Sequence, residues 1–175
     1  GKYWWQFDGS NDYLALSAPL FQMSDDHWVI TGINFATAPA SPQAFMSPSH
    51  ANASDHAALL GIDTSGKIFA EWKAVTGGLV YLTSAANKAG APCVVSTFKT
   101  GNTKILRVNG VQEGVNSTPQ TVTTASTVGY IGSYDGASLY FGGASHASIG
   151  GKGTITPSDL LTLERFVGQM SGVSI

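Results

Sequence analysis

Charge is scarce in this chain. Asp, Glu, Lys and Arg make up 11 % of its 175 residues, less than half of the roughly 25 % usual in a globular chain. Nine basic and eleven acidic residues leave a net charge of −2. Lys and Arg form no run, so the electrostatic footprint of a nucleic-acid binder is absent. Cysteine is limited to Cys93, which excludes an internal disulfide. Within the apolar run Ala91–Val95 it reads as a small buried hydrophobe, because no motif of nucleophilic catalysis flanks it. No apolar stretch reaches the roughly 18 residues of a membrane-spanning helix. No basic n-region followed by an apolar h-region marks a secretory signal. The chain opens at Gly1 directly on a strand-like run and reads as the C-terminal piece of a longer polypeptide. Helical periodicity is missing until the very end.

What is present is alternation. Hydrophobic residues make up 43 %, and a chain of this length can bury roughly 70 % of its unfolded surface, enough for one core and one domain over 1–175. Residues 3–7 and 12–16 read as strands joined by Asp8-Gly9-Ser10-Asn11. His27–Phe35 alternates, with Trp28, Ile30 and Phe35 expected inward. Thr37–Asp55, with Pro39, Pro42 and Pro48, reads as one long loop. Strands are then expected at Ala57–Ile62, Lys67–Ala74, Leu79–Ser84, Cys93–Thr97, Lys104–Val108, Val111–Val115 and Thr127–Ser133, with one or two more in Ser138–Ile149. Asn109-Gly110, between two alternating runs, is the strongest turn signal, because a two-residue type I′ hairpin needs positive φ at both positions. Strands at this spacing argue for an all-β sandwich or barrel. One helix closes the chain. Thr156 is its N-cap, Pro157 fits N1, Asp159 completes a capping box and Gly172 stops it. Leu160, Leu163, Phe166, Val167 and Met170 would form its apolar stripe, and Val173–Ile175 a short final strand.

Six motifs in this order carry a resemblance. They are Phe7-Asp8-Gly9-Ser10-Asn11-Asp12-Tyr13-Leu14, the Trp28–Phe35 strand, Ile62–Trp72 with its Asp-Thr-Ser-Gly turn, Leu106–Gly110, Ile131-Gly132-Ser133, and the Phe141-Gly142-Gly143 run that leads into the Ile155–Asp159 helix start. The set resembles the concanavalin A-like lectin/glucanase superfamily, and within it the laminin-G-type, pentraxin-like jelly roll. That implies an antiparallel β-sandwich jelly roll with one C-terminal helix. Ala91–Phe98 departs from the family pattern, lacking its Trp and His, and Ala144–Ile149 lacks its acid. The stretch Leu160–Val173 resembles the ending of such domains in phage and prophage tail fibre or tailspike proteins.

The resemblance implies carbohydrate binding, and the residues are consistent with that. Sugars need flat aromatic faces for their C–H groups and short polar side chains for their hydroxyls. Trp72 and Tyr81, placed to face each other across a Gly77-Gly78 turn, are candidates, as are Tyr134 and Asp135 in one loop and His50, Asn52, Asp55 and His56 in another. Catalytic chemistry is not expected. Retaining glycanases of this superfamily hold two carboxylates about 5–5.5 Å apart, from acidic residues alternating on one strand. The three glutamates here, Glu71, Glu113 and Glu164, have no acidic neighbour at i+2 or i+4. A glycan-degrading enzyme would have to bring together a distant pair such as Glu71 and Glu113. No cofactor is expected. Asp8, Asn11 and Asp12 could contribute to a structural Ca²⁺ site, but turn capping accounts for them. His27, His50, His56 and His146 show no zinc spacing. The expected function is therefore non-catalytic recognition of a cell-surface glycan, in a phage virion or outside the cell, by a module trimerised through the rest of a fibre. The alternative is a capping or trimerisation domain without a ligand.

Overall fold

The computed structural model describes residues 4–52, 55–74, 78–121 and 125–175, and the side chains of Asn52 and Asp55 also lie outside that description. In chain order the strands are β1 (Trp5–Asp8), β2 (Leu14–Ala15), β3 (His27–Asn34), β4 (Gln43–Asn52), β5 (Asp55–Ile62), β6 (Ile68–Ala74), β7 (Gly78–Thr83), β8 (Cys93–Thr100), β9 (Thr103–Val108), β10 (Val111–Asn116), β11 (Val128–Ile131) and β12 (Gly142–Lys152), followed by α1 (Pro157–Ser171). They form two six-stranded sheets. The first has the order β1-β12-β3-β8-β9-β10 and the second β2-β11-β4-β5-β6-β7. Every recorded pairing is antiparallel. The architecture is the all-β, antiparallel sandwich with one C-terminal helix that the alternation predicts.

The core lies between the sheets and includes Ile33, Phe45, Ile62, Trp72, Leu106 and Phe141. A second cluster lies on the outer face of the first sheet, where Ile30 and Val94 meet Leu160 and Val167 of α1. Strand β3 therefore feeds two layers. Val29 and Ile33 enter the main core, whereas Ile30 and the half-buried Trp28 pack beneath the helix. Trp28, Ile30 and Phe35 are thus not on one side as expected; of the three, only Phe35 belongs to the main core. Gly32 lets the helix come close, since a Cβ there would stand 1.8 Å from Ser171 Oγ.

The Asn-Gly turn forms as predicted. Val108 pairs with Val111, and Asn109 and Gly110 have φ of 50° and 77°. Asn109 also ties the hairpin tip to β8. Its Oδ1 accepts from Val94 N at 2.8 Å, and its own N–H donates to Val94 O at 2.8 Å.

Three expectations are corrected. The presumed loop 37–55 contains the ten-residue strand β4. Small polar residues and Pro48 hide it in the sequence. Pro48 is tolerated because the β4–β11 register shifts around it, between the pairs Val128↔His50 and Tyr130↔Ser47. The helix stripe is also different. Leu160, Glu164, Val167, Gly168 and Ser171 are buried, while Phe166 is 51 % exposed and Met170 points outward with it. Glu164 is fully buried and accepts hydrogen bonds from Ser96 Oγ (2.5 Å), Arg107 Nε (2.8 Å) and Arg107 Nη2 (3.1 Å), so an ion pair docks the helix where an apolar stripe was expected. Finally, Val173–Ile175 is not a strand. Val173 and Ile175 pack against the helix cluster. The caps hold as predicted, with Asp159 N donating to Thr156 Oγ1 at 3.1 Å and Gly172 left-handed at φ 81°.

Candidate functional site

Among the described residues, no helix covers the outer face of the second sheet. Strand β6 alternates Ile68, Ala70, Trp72 and Ala74 inward with Phe69, Glu71 and Lys73 outward. Its neighbour β7 pairs Tyr81 with Glu71 and Val80 with Trp72. Tyr81 therefore stands on the outer face and Trp72 on the inner one. The expectation that they face each other is corrected by this one-residue offset in register. Trp72 is buried in the core and its Nε1–H donates to His27 Nε2 at 3.2 Å. Its surface also lines a separate cavity of about 250 Å³ beside Lys99 and Gln120. Of the expected turn between β6 and β7, Gly77 lies outside the described residues.

Strand β5 delivers the next two groups through an irregularity. His56 pairs with Lys73 and Leu59 with Glu71, with a register shift between them. In a regular pleat, residues three apart face opposite ways. Here Ala58 adopts φ 55° and absorbs the extra residue as a bulge, so His56 and Leu59 both face outward. An alanine at positive φ is uncommon and mildly strained. The loop after β11 adds Tyr134, Asp135 and Leu139, the last at φ 51°.

Together these groups form a groove of about 370 Å³. Leu59, Phe69, Leu139 and Pro42 supply apolar surface; Tyr81, Tyr134, His56, Glu71 and Lys73 supply the polar groups. Tyr81 stacks on Phe69 with ring centroids 5.2 Å apart and planes at 26°. His56 joins two partners. Its Nε2 lies 2.8 Å from Glu71 Oε1 and its Nδ1 3.1 Å from Tyr134 Oη. The His50 ring sits edge-on to Tyr134 at 4.7 Å and stacks towards His56 at 6.5 Å. Burial, and next the charge of His56, hold the His50 pKa below its usual range. Burial, followed by the nearby carboxylates, pushes both phenols up to about 12, from Asp63 and Glu71 at Tyr81 and from Glu71 and Asp135 at Tyr134. Both stay protonated at neutral pH and can donate. For Asp135, burial acts to raise the pKa, but the amide of Ala137 and the hydroxyl of Ser138 outweigh it and hold the carboxylate ionised. Asp135 thus shapes its own loop.

Of the residues singled out in the sequence, the structure brings Tyr81, Tyr134 and His56 to the groove and places His50 beside it. Asn52 and Asp55 pair at the ends of β4 and β5, and their side chains lie outside the described residues. Sequence reasoning named Glu71 only in the enzyme alternative, and did not single out Lys73, Phe69, Leu59 or Leu139. Glu71, Lys73 and Phe69 were signalled by parity alone, since placing Trp72 inward puts them outward. Glu71 and Glu113 do not converge, because Glu113 lies in the first sheet and is held by Lys88 Nζ at 3.0 Å and Ala85 N at 2.9 Å. At the β1–β2 turn, Asp8 Oδ1 accepts from Ser10 N (2.7 Å) and Asn11 N (3.3 Å), and Asp12 Oδ2 accepts from Asp8 N (3.2 Å). Among the described residues no group of three His, Cys, Asp or Glu side chains is placed to hold a metal ion.

The fold defines the class: an antiparallel jelly-roll β-sandwich with one C-terminal helix, here with an open, aromatic-walled groove on one sheet. The sequence matches no protein-family model and no curated protein. Solved structures match the fold. The carbohydrate-binding module CBM40 of the Ruminococcus gnavus IT-sialidase, bound to α2,3 sialyllactose, superposes with a TM-score of 0.64 at 13 % identity, over 80 % of this chain and 83 % of that one. The botulinum neurotoxin serotype D binding domain gives 0.70 at 10 % identity, over 91 % of this chain and 42 % of that one. Trypanosoma rangeli sialidase gives 0.63 at 10 % identity, over 87 % of this chain and 24 % of that one. Identities this low establish the fold alone.

Proposed function

We propose that this chain is a non-catalytic carbohydrate-binding module that receives a glycan in the groove on the outer face of the second sheet. The observation that carries the reading is the combination of an exposed, rigidly backed aromatic ring, Tyr81 on Phe69, with the Tyr134–His56–Glu71 hydrogen-bonded row beside it. The ring accepts the C–H face of a pyranose, and the row offers acceptors and donors for its hydroxyls. Among the described residues lining the groove, Glu71 is the one carboxylate, which favours binding over the two-carboxylate chemistry of glycoside hydrolysis. A fold neighbour that is a carbohydrate-binding module bound to a sialylated sugar supports the same reading. Such shallow sites bind weakly one at a time. Presentation as a trimer on a phage tail fibre, the setting that the resemblance of Leu160–Val173 implies, would supply avidity.

The test is binding of labelled, trimerised protein to whole bacterial cells, with Tyr81→Ala and Tyr134→Ala as folded variants. We expect Tyr81→Ala to abolish adhesion. Retention of full adhesion by both variants would sink the assignment of this groove. EDTA should change nothing, because the Asp8 and Asp12 carboxylates are used by the turn. One observation favours the structural alternative: Trp4 and Trp5, each just over half exposed, precede or lie on the edge strand β1, with Tyr13 and Leu14 exposed near β2 at the edge of the other sheet. If Trp5 and Tyr134 prove buried between protomers of the fibre, with no groove left, the capping reading replaces the lectin reading.

A further inference from the structure

Resting on the glycan-binding reading, we infer that the groove selects uncharged hexopyranosides and rejects anionic sugars, unlike the sialyllactose-binding module that shares its fold. Recognition of a sugar carboxylate or sulfate is best served by a guanidinium, whose planar fork donates two parallel hydrogen bonds. The whole chain has two arginines, and neither reaches this face. Arg107 is bound to the buried Glu164 and to Gly110 O beneath α1. Arg165 lies on α1 and donates to Ile175 O at 3.3 Å. Both belong to the opposite side of the sandwich.

The groove itself presents an anionic acceptor. Glu71 lines it, with Oε1 engaged by His56 and no partner for Oε2 among the described residues. Lys73, the one Lys or Arg among the described lining residues, stands two positions from Glu71, the one lining carboxylate, on the same strand face, so the Lys and Glu of the lining offer no net positive charge to an anionic sugar. A sugar hydroxyl donates well to Glu71 Oε2, and a charge-assisted bond of that kind is stronger than a neutral one. A sugar carboxylate in the same place would face a like charge, and its discrimination would be by repulsion as much as by attraction. The apolar surface of Leu59, Leu139 and the Tyr81 ring suits the C–H face of a neutral pyranose.

The experiment is a glycan array of matched pairs, each an uncharged oligosaccharide beside its sialylated, sulfated or uronate-bearing counterpart, read with the trimerised protein at low and high salt. The expected result is binding to uncharged members, about tenfold or more over their anionic counterparts, with little salt dependence. Glu71→Gln keeps a side chain able to bond His56. It should weaken binding to the uncharged sugars and narrow the gap to the anionic ones. Anionic members bound as well as or better than neutral ones, with binding lost in Lys73→Ala, would overturn the charge inference and leave the glycan reading standing. Silence on every spot, with the protein folded, would overturn both.

Discussion

The two outer faces of the sandwich each present a glutamate to a nitrogen base, and they treat it in opposite ways. On the first sheet Glu164 is fully buried beneath α1 and takes three donors from Ser96 and Arg107. On the second sheet Glu71 keeps 19 % of its side chain exposed and takes one recorded bond, from His56. A carboxylate whose lone pairs are satisfied inside protein can only hold structure together. One with acceptor capacity left, at the wall of a groove, is available to a ligand. The helix is what separates the two cases, because it covers one face and leaves the other open.

The comparison breaks first at Glu164. Glu164→Ala leaves the Arg107 guanidinium without its partner in a part-buried site and should destabilise the fold by about 3 kcal/mol or more, with glycan binding by the remaining folded protein unchanged. Urea denaturation read beside array binding checks both halves. A loss below about 1 kcal/mol would mean that the ion pair adds little to helix docking.

Between the faces lies His27, a control that belongs to neither. Burial lowers its pKa from 6.5 to about 4. Its Nδ1 lies 2.8 Å from Asp25 O and its Nε2 accepts from Trp72, so the neutral Nδ1–H form fits, and protonation would set Nε2–H against the indole N–H. The folded pKa is the lower one, so the unfolded chain binds the extra proton first. Stability is full above about pH 6.5 and is lost as the pH falls towards 4, by about 3 kcal/mol at most. Chemical denaturation across that window should show the decline, and His27→Gln should flatten it.

Smaller effects sharpen the contrast. Gly32→Ala pushes a methyl into Ser171 under the helix and should cost about 1–3 kcal/mol, again without touching binding. Tyr81→Ala reverses that signature. At 43 % exposure its removal should cost less than about 1 kcal/mol in thermal or urea unfolding, while binding falls about tenfold or more. If Tyr81→Ala destabilised the fold more than Gly32→Ala, the uncovered face would have to be counted as structural.

Much of this was readable from residue order. Asn109-Gly110, the Thr156–Asp159 cap and the alternation of β6 and β9 rest on local rules that tertiary contacts did not override, whereas in β3 the helix layer took Trp28 and Ile30 away from the main core. Strand β4 was not readable, because its pairing is set by neighbours on both sides and its Pro48 sits at a register shift. The helix face was misjudged because hydrophobic periodicity assigns a glutamate to solvent, and nothing near Glu164 in sequence announces Arg107 across the sheet. At the groove, Tyr81, Tyr134 and His56 could be picked out by side-chain type. Their partner Glu71 followed from strand parity, which the presumed Trp72–Tyr81 pair had reversed. The bulge at Ala58 left no trace, since alanine does not signal a positive φ.

That bulge gives the groove an unusual vulnerability. His56 and Leu59 share a face only because one residue between them is out of phase with the pleat, so the alignment of the groove wall depends on strand length and backbone hand at a buried position that does not line the groove. A β-branched residue at 58, which resists the left-handed conformation, would favour a straight strand that turns the imidazole of His56 inward, away from Glu71 and Tyr134, and would erase the polar row without altering any side chain in it. In such a sheet, gain or loss of ligand preference can therefore travel through small shifts of the main chain and not only through exchange of contact residues.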